Sequence, residues 1–224
     1  MTKNLAITLA LIATSALVLG AFIVLAGRSA PPGDAAGAGA APASTAPEEL
    51  LVREDSHHLT EAPDAEVTVV EFLDFECEAC LAQFPVMERL REDYDGRINL
   101  VIRYFPMPGH TNSETAATAV EAAARQGELE AMYIKMYETQ EEWGESDESK
   151  AAEFAGFAED LGLDTEQFAE DVADPATLDR VRADFEDGRA LGVQGTPTIF
   201  VNGRQTDPMP SYATLSSMID RELS

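Results

Sequence analysis

Residues 67–80 have the sequence VTVVEFLDFECEAC, in which a run of apolar residues leads directly into two cysteines. Val67–Phe75 is apolar on both faces and rich in β-branched and aromatic residues, which is typical of a central strand covered on both sides. From about Glu78 to Tyr94, apolar residues recur with a period near 3.6, which predicts an amphipathic helix. The sequence therefore predicts a strand, a Cys-x-x-Cys motif and a helix in immediate succession.

The Cys-x-x-Cys motif consists of Cys77 and Cys80, the two cysteines of the whole sequence. At a helix N-terminus, unpaired N–H groups and the helix dipole stabilise the thiolate of the first cysteine. The second cysteine then resolves a mixed disulfide. The position between strand and helix favours a redox-active pair over a static disulfide or half of a metal site. We expect no metal and no cofactor other than the Cys77–Cys80 disulfide, since a four-ligand zinc site needs two more suitably spaced ligands.

Two features near the motif have alternative interpretations. The dipeptide Glu78-Ala79 places a carboxylate beside Cys77, which opposes thiolate formation unless Glu78 points into water and is screened. Glu71 lies on the predicted strand, where it either carries the proton that Cys80 gains and loses or reaches solvent at the margin of the sheet.

The rest of the domain reads as a second strand, a block of helices, a hairpin and a last helix. Further predictions cover a strand over Arg97–Phe105, five helices between about 111 and 191, a strand over Thr198–Val201 with a turn at Asn202-Gly203, and a final helix over Ser211–Leu223. Within the helical block we predict a capping box over Thr111–Glu114 and a single helix over Glu128–Trp143. Pro85 is expected to kink the helix that follows the cysteines.

Two segments precede this domain. Leu5–Gly27 is uncharged and apolar, and its length matches a helix that spans a bilayer core. Residues 1–27 are therefore predicted to be a signal-anchor, with a cleaved secretory signal as the alternative. Residues 28–48, rich in Ala, Pro and Gly, predict a flexible linker. Both alternatives place residues 49–224 outside the cytoplasm, either as the C-terminal domain of a single-pass protein of the cell membrane or as a secreted protein.

The charge balance excludes some classes of partner. The sequence has 41 acidic and 15 basic residues, a formal net charge of −26. Such a surface repels phosphates and anionic lipid headgroups, which argues against nucleic acid as a partner and against docking on an anionic lipid surface.

From about Glu66 to its end, the chain resembles the DsbA-like branch of the thioredoxin superfamily, and in particular the membrane-anchored DsbA family proteins of bacteria. The matching pieces are 71–80 (EFLDFECEAC), Pro85, 103–110 (RYFPMPGH), Tyr137 through Gln140 to Trp143, and 192–203 (GVQGTPTIFVNG). The resemblance implies a thioredoxin-like α/β fold with an all-helical region inserted at about 111–175.

The resemblance also implies residue roles. Cys77 is expected to be the nucleophile and Cys80 the resolving thiol, with Glu71 as the buried acid linked to proton transfer. Pro197 is expected to follow a cis peptide bond, and Thr196 to offer its backbone to an extended substrate segment.

The dipeptide Glu78-Ala79 departs from the Pro-His of DsbA, so a milder oxidant is expected. The expected activity is the oxidation of cysteines in secreted or membrane proteins, with unfolded or extended secreted proteins as substrates. A membrane redox partner of the DsbB or VKOR type is expected to oxidise the reduced Cys77–Cys80 pair back to the disulfide. A disulfide reductase or isomerase is the alternative, followed by a non-catalytic peptide-binding module.

Overall fold

A computed structural model describes residues 45–224 of the chain. The predicted signal-anchor at 1–27 and most of the predicted linker at 28–48 lie outside the described residues. Within residues 45–224, no helix has both the length and the apolar character that a membrane crossing requires.

A five-stranded mixed sheet forms the centre of the domain. Its strands are β1 (His57–Thr60), β2 (Val67–Leu73), β3 (Ile98–Tyr104), β4 (Thr198–Val201) and β5 (Arg204–Gln205). They lie in the order β1-β3-β2-β4-β5, with β2 parallel to β3 and antiparallel to β4. The strand that leads into the cysteines is therefore central, as its two apolar faces predict.

Helices surround this sheet and fill the long connection between β3 and β4. The described helices are α1 (Glu48–Leu51), α2 (Glu78–Asp93), α3 (Ser113–Arg125), α4 (Leu129–Glu138), α5 (Gln140–Trp143), α6 (Ala151–Asp160), α7 (Thr165–Ala173), α8 (Pro175–Ala190) and α9 (Tyr212–Glu222). The all-helical insertion comprises α3 to α8. This is a thioredoxin-like α/β fold with a helical insertion, as predicted.

Alternation along β2 divides the apolar core between the two faces of the sheet. Val67, Val69 and Leu73 belong to the larger cluster, which contains Cys80 and the apolar sides of α2 and of most inserted helices. Val70 and Phe72 belong to a smaller cluster on the other face. Because successive side chains of a strand point to opposite faces, Glu71 lies on the Cys80 side.

Local chemistry shapes several ends and turns of the structure, among them the predicted turn at Asn202-Gly203. The side chain of Asp174 caps α8 by accepting a hydrogen bond from the N–H of Ala176. Asn202 and Gly203 have φ values of 45° and 77°, the positive values that a tight hairpin turn requires. Pro85 lies inside α2, which continues through it to Asp93.

The predicted capping box over Thr111–Glu114 is wrong. The residue before α3 is Asn112, and its side chain makes no capping hydrogen bond. Its amide instead contacts the backbone of the α5–α6 loop, donating to the carbonyls of Ser146 and Glu148 and accepting from the N–H of Lys150. A tertiary contact therefore replaces the local cap that the sequence pattern indicated.

The predicted single helix over Glu128–Trp143 is divided in the structure. Thr139 interrupts it with φ −110° and ψ 1°, and its hydroxyl donates to the carbonyl of Lys135. Such a bond from a threonine to the preceding turn bends helices. The break starts the short helix α5 at Gln140, whose side chain reaches the cysteine motif.

The strand β1 and the helix α1 were not predicted. In His57–Thr60 only Leu59 is fully buried, since β1 is an edge strand, and a four-residue polar stretch carries no clear periodicity.

Candidate active site

The two cysteines occupy the start of α2 in different environments. Cys77 is the N-cap residue of α2 and is half-buried, whereas the residue Cys80 is only 1% exposed. The carbonyl of Cys77 accepts the N–H groups of Cys80 and Leu81 at 3.0 and 3.1 Å, which begins the helix. Both sulfurs are free thiols. The structure therefore describes the reduced form of the pair.

The environments separate the acidities of the two thiols. A hydrogen bond from Cys80 is the main cause that lowers the pKa of Cys77 to about 5; burial opposes it, and Thr196 and the N–H groups of Cys80 and Ala79 assist. Burial, followed by the neighbouring Cys77 and Glu71, raises the pKa of Cys80 well above its usual value. At neutral pH, Cys77 is a thiolate and Cys80 holds its proton, which suits a nucleophile and a resolving thiol.

The loop before β4 lies against the first cysteine. The Thr196–Pro197 peptide bond is cis, as the resemblance implied. The Sγ of Cys77 lies 3.4 Å from the carbonyl oxygen of Thr196. This proximity follows from the topology, because β4 runs antiparallel to β2 and pairs Thr198 with Phe72 near the end that leads into the motif.

Glu71 is buried beneath the motif, with 2% of the residue exposed, so the alternative that it reaches solvent is wrong. Burial, and then the charge of Glu88, raise the pKa of Glu71 to about 8. The charge of Glu71 in turn contributes to the raised pKa values of Cys80, Tyr133 and Tyr137. Glu71 is thus a carboxyl that can hold a proton near neutral pH in the environment of Cys80.

The dipeptide between the cysteines differs from its buried neighbours. Glu78 is exposed and Ala79 is partly exposed. The hydrogen bond and charge of Glu78 raise the pKa of Glu145, a fully exposed residue with φ 56° in the loop after α5. Glu78 and Glu145 line the same cleft beside the motif.

The sequence prediction missed a buried carboxylate beside the motif. Asp74 accepts the N–H of Glu76 on Oδ1 at 2.9 Å and the N–H of Met107 on Oδ2 at 3.0 Å. Its Oδ2 also lies 2.6 Å from Nδ1 of His110. Both Asp74 and His110 lie in segments that carried the resemblance, so their presence there was the available signal.

Gln140 is a second residue whose role was missed. Its Nε2 donates to the carbonyls of Phe75 and Cys77, at 2.6 and 3.1 Å. The helical insertion therefore contacts the cysteine turn directly. The sequence segment around Gln140 was noted for its resemblance, but no local pattern indicates which backbone groups an amide 63 residues away will reach.

The part of the chain that the structure describes contains no group of three or more His, Cys, Asp or Glu side chains arranged to hold a metal ion.

Comparison of sequences places the chain beside known proteins. A sequence model of the thioredoxin family matches residues 54–221 of this chain. Among curated relatives, a Na(+)/H(+) antiporter NhaA of Herminiimonas arsenicoxydans is 31% identical over 167 residues, which cover 73% of this chain and 25% of that protein. An NhaA 3 of Salinispora tropica is 35% identical over 166 residues, covering 74% of this chain and 24% of that protein. The chain thus spans about a quarter of the length of these relatives.

Solved structures share the fold over most of the domain. A thioredoxin-like oxidoreductase from Silicibacter pomeroyi DSS-3 is 28% identical with a TM-score of 0.67, covering 79% of this chain and 97% of that one. Oxidised BdbD from Bacillus subtilis is 21% identical with a TM-score of 0.68, covering 81% and 97%. Alpha-DsbA1 from Wolbachia pipientis is 18% identical with a TM-score of 0.69, covering 78% and 94%. At these lower identities the last two matches show a common fold.

Proposed function

The chain belongs to the thioredoxin superfamily and has its DsbA-like fold, and from this membership we propose that it catalyses thiol–disulfide exchange through Cys77 and Cys80. The observation that carries the proposal is the difference between the two thiols. Cys77 has a pKa of about 5 at the mouth of the site, while Cys80 is buried and protonated behind it.

In the proposed reaction the protein begins with the Cys77–Cys80 disulfide and the substrate with two thiols. A substrate thiolate attacks Sγ of Cys77, a mixed disulfide forms, and Cys80 leaves as a thiolate that takes a proton. The second substrate thiolate then attacks the substrate sulfur of the mixed disulfide, and Cys77 leaves as a thiolate. The substrate has lost two electrons and two protons. The protein has gained both electrons and one proton, which Cys80 holds, and the other proton passes to solvent because Cys77 stays a thiolate at neutral pH.

We propose that the net direction is the oxidation of substrate cysteines. A low pKa makes Cys77 a good leaving group and stabilises the reduced protein, which raises the reduction potential of the pair. The alternative direction, as a reductase or isomerase, uses the same atoms and the same thiolate, but a stable reduced form lowers the driving force for giving electrons to a substrate. A non-catalytic peptide-binding module has no use for thiols of such different acidity.

The loop that contains the cis bond is the proposed binding place for substrate. The half-buried Thr196 lies beside Cys77, so an extended cysteine-containing segment bound along its backbone brings a sulfur to Cys77. We propose unfolded or extended secreted proteins as the substrates, outside the cytoplasm. A membrane redox partner of the DsbB or VKOR type is the proposed source of the disulfide that regenerates the oxidised protein.

A trapping experiment tests the order of attack. In Cys80→Ser, oxidised glutathione first converts Cys77 to a mixed disulfide with glutathione. The thiolate of a reduced, unfolded protein that has a single cysteine then displaces the glutathione. Neither Cys80 nor a second substrate thiol is present to break the new bond, so we expect covalent adducts with Cys77. In the matched variant Cys77→Ser, the remaining thiol is buried and protonated, so few adducts are expected. Non-reducing electrophoresis followed by mass spectrometry of the adducts measures both. Equal trapping by the two variants, or none by either, contradicts the proposed function.

A further inference from the structure

One buried carboxylate connects the turn before Cys77 to the loop between β3 and α3. The backbone carbonyl of Asp74 accepts the N–H of Cys77 at 3.2 Å, while its fully buried side chain accepts the N–H groups of Glu76 and Met107. The same side chain binds the imidazole of His110. The position of His110 relative to the cysteine turn is therefore fixed through a single residue.

The bond to Asp74 also fixes which edge of the imidazole faces outward. Nδ1 of His110 lies 2.6 Å from Oδ2 of Asp74, so Nδ1 carries a proton in both the neutral and the charged ring. The Nε2 edge remains available, and 34% of the side chain is exposed. The charge of His110 thus depends on the proton at Nε2.

His110 shares a cleft with the two residues that flank Cys77. The cleft has a volume of about 200 Å³ and is lined by Glu76, Glu78, Gly109, His110, Thr111, Glu145 and Asp147. Apart from His110, the charged groups that face this cleft are carboxylates. His110 is accordingly the source of positive charge at this side of the cysteine turn.

The surroundings favour the charged form of the imidazole. Burial opposes the charged form, but Asp74, then Cys77 and Glu76, together raise the pKa of His110 above its usual value. The contribution of Cys77 means that the imidazolium and the thiolate interact. By the reciprocity of coupled sites, a charge on His110 stabilises the Cys77 thiolate as much as the thiolate stabilises the charge on His110.

We propose that His110 is a positioning and charge-supplying residue for the exchange reaction, which delivers from the β3–α3 loop the positive charge that the dipeptide Glu78-Ala79 does not supply. The proposal rests on the proposed function and deepens it. It also changes the expectation drawn from the dipeptide alone: with His110 charged, the reduced form is more favoured, and the protein is a stronger oxidant than Glu78-Ala79 indicates.

The first test uses the unaltered chain. The pKa of His110 is measured by NMR titration of its imidazole in the reduced and in the oxidised protein. Oxidation removes the Cys77 thiolate, so we expect the pKa of His110 to fall by roughly half a unit or more, about a threefold change in the proton-binding constant. An identical His110 pKa in both forms overturns the proposal.

The second test uses matched variants to measure the effect of His110 on the pKa of Cys77. In His110→Gln we expect the pKa of Cys77, followed by thiolate absorbance, to rise by the same amount. The equilibrium constant with glutathione is expected to move about threefold toward the oxidised protein. His110→Lys restores a positive charge and is expected to recover part of both shifts, which a purely structural role does not predict.

Arg221→Gln is the control for net charge. Arg221 is exposed in the last turn of α9, and the neighbouring Leu223 lines a pocket with Gly96 and Arg97, beyond the end of α2 opposite to Cys77. The variant Arg221→Gln removes one positive charge far from the site and should leave the pKa of Cys77 unchanged. If His110→Gln behaves like this control while exchange with glutathione continues, the proposal fails and the proposed function stands. If the unaltered protein does not exchange with glutathione, the proposed function itself fails.

Discussion

At the scale of single residues, the site consists of two reacting thiols of different acidity and the titratable groups around them. Cys77 and Cys80 were found from a motif whose meaning is local, since a strand before it and a helix after it are visible within about 25 residues. Asp74 and His110 act through a contact across 36 residues, and no periodicity connects them. The charges that act on Cys77 depend on which loops the fold brings together. The dipeptide Glu78-Ala79 by itself was therefore not enough to predict the acidity of Cys77.

The buried carboxyl of Glu71 leads to a prediction about pH and stability. Its folded pKa of about 8 exceeds the ordinary value of 4.5, so between these pH values the folded protein holds a proton that the unfolded chain has released. Stability therefore falls as pH rises through this window. In Glu71→Gln we expect the free energy of unfolding at pH 8 to exceed that of the unaltered protein by up to a few kcal/mol, with little difference near pH 4.

This prediction is checked by denaturant unfolding of the oxidised protein across pH 4 to about 9, because neither cysteine titrates when they form a disulfide. Glu92→Gln, an exposed carboxyl of the same α2 helix, is the control and should show almost no difference between the two ends of the range. A Glu71→Gln profile parallel to that of the unaltered protein contradicts the raised pKa.

At the scale of elements, helices and strands with strong periodicity were predicted within a few residues, and tertiary contacts decided the exceptions. The strand over Thr198–Val201 and the turn at Asn202-Gly203 follow from local chemistry. The divided helix at Thr139 does not, because Gln140 must turn toward the carbonyls of Phe75 and Cys77. The sequence pattern alone favours one continuous helix. The two carbonyls that accept hydrogen bonds from Gln140 come close to it only in the folded chain.

Gln140 therefore provides a prediction at this scale. Gln140→Leu replaces the amide with an apolar side chain and leaves the buried carbonyl of Phe75 without that donor, so we expect a loss of about 1–3 kcal/mol in the free energy of unfolding. Amide hydrogen exchange in residues 75–81 is expected to accelerate, because this turn loses its contact with the insertion.

The control for Gln140 is Gln126→Leu. Gln126 also makes two hydrogen bonds to backbone, with the N–H and carbonyl of Asp164, but these bonds are exposed to water. We expect a change below about 1 kcal/mol and no effect on exchange in residues 75–81. Equal losses in the two variants would show that Gln140 has no special connection to the cysteine turn.

At the scale of the whole molecule, a buried ionic cluster joins three parts of the chain. Arg103 on β3 is fully buried and binds Asp184 and Asp187 of α8, both at 2.6 Å. Its guanidinium also donates to the carbonyls of Leu50 and Leu51 in α1. The net charge of −26 could be counted from the sequence, but this pairing could not be predicted, because its members are separated by 52 to 84 residues.

Removing Arg103 tests how much the buried ionic cluster contributes to the free energy of unfolding. In Arg103→Met the buried carboxylate of Asp184 keeps Arg180 but loses a partner, so we expect a loss of about 3–5 kcal/mol in the free energy of unfolding. The exposed pair Arg89–Asp93 is the control, and Arg89→Ala is expected to cost less than about 1 kcal/mol. Chemical denaturation of both variants measures the difference, and comparable losses would contradict a special role for the buried cluster.

The strand order has a consequence for the time at which the site becomes complete. Cys77 and Thr196 meet because β4 pairs with β2, yet 119 positions separate the two residues along the chain. A ribosome that has just added Cys80 must still add more than a hundred residues before Thr196 exists. Throughout that interval the growing chain carries both cysteines without the loop that faces them. During synthesis, the nascent protein is therefore itself a polypeptide with unguarded thiols, in the same condition as the substrates proposed for it.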